Sequence, residues 1–211
     1  MAVATDSQKG IFGDRYFSLM QDSRGHIWGG GVVNGVLDFD PVSETQILYN
    51  IDNNNPDSLH GSAVNNIIEI EPGQLLRVVW RGKPVWVVRR TPEALADLKT
   101  VAGNLRDPAS AESTQPDFAK NEYRSIKPDY LILVGICTHL GCSPKYVGEL
   151  TPEPFDPNWK GGFYCPCHKS RYDMAGRVFQ GVPAPANLPV PPYRIVDANH
   201  IVIGVNPEGV A

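Results

Sequence analysis

The alternation of apolar and polar residues along the first fifty positions predicts short β-strands separated by turns. The segments richest in β-branched and aromatic residues are 16–20, 26–28, 36–39 and 46–49. Residues that favour turns lie between them, at 22–25, 34–35 and 40–41. We therefore expect residues 1–66 to form a short β-rich segment that ends in a polar stretch, "NIDNNNPDSLHG".

A different pattern begins at residue 67. Two apolar strands at 75–80 and 85–89 flank a Gly-Lys-Pro turn, and residues 130–136 have the composition of a buried strand. Residues 92–105 show helical spacing and start with a proline, which suits the first turn of a helix. The pattern predicts a mainly antiparallel β domain over 67–211, with one helix-loop insertion and a closing hairpin at 193–196 and 200–205. We expect its functional residues on the loops that a rigid sheet supports.

Charge and hydropathy exclude several classes of protein. The 211 residues carry a net charge of −4, which argues against a general nucleic-acid binder. The longest clean apolar run, at 131–136, is far shorter than the ~20 residues that a membrane-spanning helix needs. The N-terminus shows no basic region followed by an apolar segment, so no signal peptide is recognisable. We expect the chain as written to be soluble.

All four cysteines lie between residues 137 and 167. They occur in two short motifs, "CTHLGC" at 137–142 and "CPCH" at 165–168, and each motif also contains a histidine. Clustering of this kind indicates one site and not a distributed disulfide framework. The motifs together offer two cysteine–histidine pairs and two further cysteines.

Three kinds of site fit these motifs. A disulfide with incidental histidines is the simplest, but two of the five histidines fall within the motifs. A structural zinc site accepts two cysteines and two histidines, although the spacing is unlike a zinc finger. The third is an iron–sulfur cluster in which two histidines replace two cysteines on one iron.

The motifs resemble those of the Rieske iron–sulfur subunit of quinol–cytochrome c oxidoreductase, the cytochrome bc complex, in its proteobacterial form. The resemblance runs from about residue 71 to residue 204 and includes "EPGQLLRVVWRGKPVWVVRRT", "YRSIKPDYLILVGICTHLGC", "AGRVF" and "GVPAPANLPVPPY". Rieske domains of aromatic-ring oxygenases are similar in the ligand pairs but lack the two extra cysteines. The resemblance implies a Rieske-type antiparallel β domain whose cluster-binding part spans about 130–192.

The resemblance also implies a role for each motif residue. The metal ligands of a 2Fe-2S cluster would be Cys137, His139, Cys165 and His168. A disulfide between Cys142 and Cys167 would join the two loops, which accounts for every cysteine.

Neighbouring residues would tune or cover the cluster. Ser170 and Tyr172 match two family hydroxyl groups that donate to sulfur and raise the redox potential. The alternative for Ser170 is a turn-capping hydroxyl, and for Tyr172 a core aromatic. The stiff segment Pro183-Ala184-Pro185 matches a loop that shields the cluster from water.

Two further roles concern the contact with substrate. Imidazole ligation couples electron transfer to proton transfer, so the resemblance makes His139 and His168 the catalytic residues, with His168 the stronger candidate for contact with quinol. Leu140 would dock the cluster tip against the quinone pocket, although simple loop packing explains it equally well. The family usually has glycine where this chain has Lys169, and lysine there is expected to strain the loop and add positive charge.

The resemblance implies an electron carrier that accepts an electron and a proton from quinol and reduces a c-type cytochrome. Its partners would be the cytochrome b and cytochrome c1 subunits, at the periplasmic face of a bacterial inner membrane. Alternatives are a Rieske-type ferredoxin that serves an oxygenase, or a zinc-stabilised binding module.

Residues 16–67 resemble one repeat of the sensor β-propellers of two-component regulators, in the place where the family has a membrane anchor and hinge. A propeller needs about four to eight such blades, and the chain contains one. We therefore expect 1–66 to be a separate β-segment, and the complex to be reached through partner subunits.

Overall fold

The computed structural model describes residues 16–31, 35–49, 68–195 and 201–207. The polar stretch after residue 49 and part of the expected closing hairpin lie outside these ranges. The chain divides into two compact units, Met1–Glu69 and Ile70–Ala211. In the part of the chain that is described, no helix has the length and apolar character needed to cross a membrane.

The first unit contains an antiparallel four-stranded sheet in which each strand pairs with the next. Its strands are β1 (Tyr16–Gln21), β2 (Ile27–Gly31), β3 (Val36–Asp40) and β4 (Thr45–Tyr49). These four strands agree with those expected from the sequence, with ends that differ by up to three residues. The identification of the unit as a propeller blade stays a prediction.

A single carboxylate organises the first turn of this sheet. Asp22 accepts backbone N–H groups of Arg24 and His26, each at 3.0 Å, and the indole N–H of Trp28 at 3.0 Å. Burial raises the pKa of Asp22, but these hydrogen bonds and the Arg24 side chain outweigh it and hold the pKa at about 2. Residues 22–28, "DSRGHIW", therefore form a carboxylate-centred turn.

The second unit is built on a three-stranded antiparallel sheet. Its strands are β5 (Leu75–Trp80), β6 (Lys83–Arg89) and β7 (Tyr130–Val134). Residues 85–88 of the central strand β6 are buried, and the ring of Trp86 stacks on Phe163 with centroids 5.1 Å apart. The sheet thereby forms the floor on which the cysteine-bearing segments pack.

The helix of the insertion is shorter than the sequence pattern predicts. Helix α1 (Pro92–Thr100) begins with Thr91 as its cap, whose hydroxyl accepts the N–H of Ala94 at 3.2 Å. The expected continuation to residue 105 is wrong, since a 3-10 turn, Ala102–Asn104, follows instead. Glycine and asparagine have low helix propensity. Leu105 instead forms an isolated β-bridge with Phe179.

Short strands that sequence patterning did not identify carry the cysteine motifs. Strands β8 (Lys145–Val147), β9 (Gly162–Tyr164) and β10 (Arg171–Tyr172) form a second antiparallel sheet with β9 in the centre. They are two or three residues long, too short to display a period of two. The closing hairpin is present as β11 (Tyr193–Ile195) and β12 (Ile201–Ile203).

Gly162 provides a direct test of this packing. A Cβ atom there would lie 2.0 Å from the carbonyl oxygen of Tyr172, which is backbone and cannot move aside. We expect Gly162→Ala to lower the free energy of unfolding by about 1–3 kcal/mol or more, measured by chemical denaturation. Gly103→Ala is the matched control, because nothing lies within 4 Å of its Cβ position. Equal losses for the two variants would contradict this packing.

Candidate metal centre

Residues 137–142, the first cysteine loop, leave strand β7 and fold back on themselves. The N–H of Cys137 donates to the carbonyl of Cys142 at 2.7 Å, and the N–H of Gly141 donates to the carbonyl of Cys137 at 3.0 Å. Gly141 has a φ of 81°, in the left-handed region that glycine adopts readily.

Residues 165–170, the second cysteine loop, repeat this backbone between β9 and β10. The N–H of Cys165 donates to the carbonyl of Ser170 at 2.8 Å, and the N–H of Lys169 donates to the carbonyl of Cys165 at 2.9 Å. Lys169 has a φ of 64° and stands where the first loop has glycine. A lysine therefore occupies a left-handed position, where a residue with a Cβ is strained.

The four cysteines divide into an oxidised pair and two thiols. Cys142 and Cys167 form a disulfide that joins the two loops. Cys137 and Cys165 are free and buried, with 3% and 1% of their surfaces exposed. The sulfur of Cys165 lies within 4.8 Å of both disulfide sulfurs. These three sulfurs do not make a metal site by themselves, because disulfide sulfurs are not thiolates.

The two free thiols lie beside each other. Burial raises the pKa of the Cys165 thiol, and a hydrogen bond with the Cys137 thiol raises it further, against a backbone N–H of Cys167 that lowers it. Two adjacent buried thiols have little access to water and gain stabilisation from a cation that both can bind as thiolates.

The two histidines of the loops lie against each other. The rings of His139 and His168 have centroids 4.7 Å apart and stand at 88° to each other. The side chain of His168 is exposed, whereas His139 is half-buried. Among the described residues, Nδ1 of His139 is a buried nitrogen without a hydrogen-bond partner.

This donor set fits a metal cluster. Two buried thiols and two neighbouring imidazoles provide two sulfur and two nitrogen ligands, and the unpaired Nδ1 of His139 is the kind of atom that a metal would satisfy. The disulfide keeps the other two cysteines out of the ligand set.

The hydroxyl of Tyr172 lies against the first cysteine loop. It accepts the N–H of Thr138 at 3.2 Å and lies 3.2 Å from both Cys137 Sγ and Thr138 Oγ1. Because Thr138 Oγ1 donates to the carbonyl of Ala186 at 2.7 Å, the Tyr172 proton is the one available to Cys137 or Thr138. Burial raises the pKa of Tyr172 well above its usual value, and contact with Cys137 adds to this, so the phenol keeps its proton.

Ser170 connects the second cysteine loop to residues 183–188, here called the proline loop. Its Oγ is fully buried and accepts the N–H of Ala184 at 3.1 Å. The hydroxyl proton of Ser170 has no partner among the hydrogen bonds described and is free to donate. Pro183 and Pro185 are exposed, while Ala184 between them is buried.

Leu140 is 70% exposed at the tip of the first loop, next to the half-buried His139. An exposed leucine of this kind does not pack within its own loop. The surface is available for a partner, but its role stays a prediction.

Sequence reasoning missed Thr138, which lies between two of the expected ligands. It joins three segments, since its hydroxyl reaches the proline loop and its N–H reaches Tyr172. A hydroxyl between two metal-binding residues was a visible signal. Its partners come from residues more than 30 positions away, which no local pattern reveals.

Comparison with known proteins places this geometry in context. The profile of the Rieske [2Fe-2S] domain family matches residues 62–193, which include both cysteine loops. The ubiquinol-cytochrome c reductase iron-sulfur subunit of Allochromatium vinosum is 56% identical over 139 residues, or 66% of this chain and 67% of that protein. The subunit of the same name from Rhodospirillum rubrum is 43% identical over 142 residues, with shares of 66% and 68%.

A plant mitochondrial protein is also similar to this chain. The cytochrome b-c1 complex subunit Rieske-1, mitochondrial, of Arabidopsis thaliana is 42% identical over 136 residues, or 64% of this chain and 43% of that protein.

The left-handed conformation of Lys169 generates a stability prediction. A residue with a Cβ pays about 1 kcal/mol in this region, and glycine does not. We expect Lys169→Gly to raise the free energy of unfolding by up to about 1 kcal/mol, measured by denaturant titration. Lys169→Ala keeps the Cβ and should give no gain. A similar gain in both variants would show that the side chain, and not the backbone, causes the strain.

Proposed function

Because the chain belongs to the Rieske [2Fe-2S] domain family, we propose that it is the electron-transfer iron–sulfur subunit of a quinol–cytochrome c oxidoreductase. It accepts an electron and a proton from quinol and passes the electron to a c-type cytochrome. The convergence of two buried thiols and two imidazoles on loops joined by a disulfide carries this proposal. The names of the bacterial and plant relatives support it.

We assign the cluster ligands to the residues that converge in the two loops. Cys137 and Cys165 would bind one iron through sulfur, and His139 and His168 the other through nitrogen. The buried, unpaired Nδ1 of His139 is the ligand atom that this assignment uses, which leaves Nε2 to carry a proton. When bound, a 2Fe-2S cluster with two histidine ligands supplies a one-electron carrier of higher potential than an all-cysteine cluster.

Two hydroxyl groups are placed to donate to the ligand sulfurs or their neighbours. Tyr172 has its proton available at 3.2 Å from Cys137 Sγ, and Ser170 has one available at the base of the second loop. Hydrogen bonds to cluster sulfurs withdraw electron density and favour the reduced state. These residues are proposed to raise the midpoint potential.

The exposed imidazole of His168 is proposed to contact quinol. Its exposed position lets a ring nitrogen take the proton that quinol releases, while the buried thiols stay out of water. Leu140, 70% exposed on the neighbouring loop, is proposed to contact the apolar wall of the quinone site.

The partners follow from the same assignment. By name, relatives of this chain are subunits of ubiquinol-cytochrome c reductase and of the cytochrome b-c1 complex. We propose that cytochrome b and cytochrome c1 are the subunits that this chain contacts, at the periplasmic face of a bacterial inner membrane. The exposed tip around His168 and Leu140 provides the contact surface.

Metal analysis and electron paramagnetic resonance of the purified chain test this function. We expect two irons and acid-labile sulfide per chain, and a reduced-state spectrum with the low average g value of histidine-ligated clusters. We also expect the midpoint potential to fall with rising pH above neutrality, because reduction there takes up a proton together with the electron, and protons become scarcer as the pH rises.

The same measurements separate the alternatives. One bound zinc and no resonance signal would identify the zinc-stabilised module and sink the proposed function. A Rieske signal with a low potential that does not change with pH near neutrality would favour the ferredoxin. Cys142→Ser is an informative companion, because loss of the disulfide should reduce cluster retention without removing a ligand.

The charge of Lys169 provides a further prediction. A cation beside the cluster favours the reduced state, so Lys169→Gln should lower the midpoint potential measured by redox titration. Because the side chain is exposed, the shift should shrink as ionic strength rises from about 0.01 M to 1 M. Lys169→Arg keeps the charge and should retain the potential. A shift of the midpoint potential that does not change with ionic strength would contradict an electrostatic origin.

A further inference from the structure

Arg124 is fully buried and held in an uncommon backbone conformation. Its exposed fraction is 0%, and its φ is 52°, in the left-handed region that arginine rarely adopts. It lies in the insertion between α1 and β7. Strain of this kind persists only where surrounding contacts determine it, which directs attention to those contacts.

The guanidinium of Arg124 bridges two separate segments. Its Nη1 donates to the carbonyls of Ala175 at 3.1 Å and Gly176 at 3.3 Å, and its Nη2 donates to the carbonyl of Leu188 at 2.8 Å. Nη2 also donates to Oε1 of Gln115 at 3.2 Å. All four terminal protons are therefore used, while the Nε–H has no protein partner within the described residues.

The first segment, residues 173–177, directly follows Tyr172 in the chain. The N–H of Asp173 donates to the carbonyl of Arg177 at 2.9 Å, and the Asp173 carboxylate pairs with the Arg177 guanidinium at 2.7 Å. Tyr172 itself bridges to Val178, immediately after this segment. The position of the Tyr172 hydroxyl against Cys137 therefore depends on how this segment is held.

The second segment is the proline loop. The N–H of Leu188 donates to the carbonyl of Gly176 at 2.8 Å, so the two segments also contact each other. Four residues earlier, Ala184 donates its N–H to Ser170. A group that fixes Leu188 therefore also constrains the partner of the Ser170 hydroxyl.

We propose that Arg124 is a positioning residue for the redox centre, which fixes residues 173–177 and the proline loop so that Tyr172 and Ser170 donate to the cluster at their correct places. This inference rests on the proposed function, since it requires a cluster in the two cysteine loops. Arg124 touches neither the ligands nor the substrate, and it acts on the potential through these two hydroxyl groups.

Of the three other buried arginines, the two that contact the 173–177 segment, Arg90 and Arg177, do not duplicate this bridge. Arg90 donates to the carbonyl of Met174 and otherwise to residues of the insertion, and Arg177 is neutralised by Asp173. In the described hydrogen bonds, only Arg124 holds both the 173–177 segment and the proline loop. Its planar fork places four donors at fixed angles, which a lysine ammonium cannot reproduce. Burial lowers the pKa of Arg124 to about 10, so the group stays charged near neutral pH.

Arg124→Lys in the cluster-loaded chain separates position from charge. Because lysine keeps the charge but loses the bridge, we expect the Tyr172 and Ser170 hydrogen bonds to weaken. The reduction equilibrium should shift about tenfold toward the oxidised state, equivalent to about 59 mV for a one-electron couple. Redox titration measures this shift, and the resonance spectrum of the reduced state should broaden as the hydrogen bonds become less uniform.

A comparison of Arg124→Lys in two backgrounds tests whether Arg124 acts through the hydroxyl groups. In a Tyr172→Phe, Ser170→Ala background the two donors are absent, so Arg124→Lys should shift the potential no further. An equally large additional shift in that background would overturn the positioning role and indicate a direct electrostatic effect.

A core truncation controls for loss of stability alone. Val101→Ala removes buried side-chain volume from a separate core cluster that contains no residue of either segment, and it should lower stability while leaving the potential unchanged. If Arg124→Lys lowers stability but its midpoint potential equals that of the wild-type chain, the proposal is wrong.

A milder variant covers the case in which Arg124→Lys does not fold. Gln115→Leu removes one partner of Nη2 and should shift the potential in the same direction by less. An unchanged potential in the loaded Gln115→Leu chain, together with an Arg124→Lys chain that fails to fold, would overturn the positioning role. Absence of a cluster signal in the wild-type chain would instead contradict the proposed function itself.

Discussion

The covalent bond between Cys142 and Cys167 is the constraint on which the geometry of the site depends. The two loops that it joins arise from different strands, and the two cysteines are 25 positions apart in the chain. Without a link, the thiols and imidazoles would have to be brought together by packing of exposed loops, which loses considerable entropy on ordering. The disulfide removes much of that freedom before any metal binds.

The two cysteine loops share the same backbone conformation. Each closes a ring between its first and sixth residues and uses a left-handed fifth residue. The side chains placed on this shared frame differ: the third residue is His139 in one loop and Cys167 in the other. The two unlike motifs therefore present their side chains from the same backbone frame.

The chemistry was largely readable from the sequence, whereas the architecture behind it was only partly so. The two cysteine–histidine motifs predicted a 2Fe-2S cluster through their resemblance to the Rieske family, and apolar runs predicted β5, β6 and β7. Strands β8, β9 and β10 were not predicted, because two or three residues show no periodicity and their pairing depends on distant partners. Arg124 escaped for another reason, since a charged residue in a polar stretch predicts a solvated loop unless its buried acceptors are known.

The exposed side chain at position 169 has a practical consequence. The loop depends on the backbone of Lys169, through its N–H and its φ, while the ammonium group extends into solvent beside His168. A primary amine therefore stands one residue from the proposed point of electron entry. In a chain whose other exposed lysines are replaced by arginine, amide coupling at this amine would attach the protein to an electrode in a defined orientation.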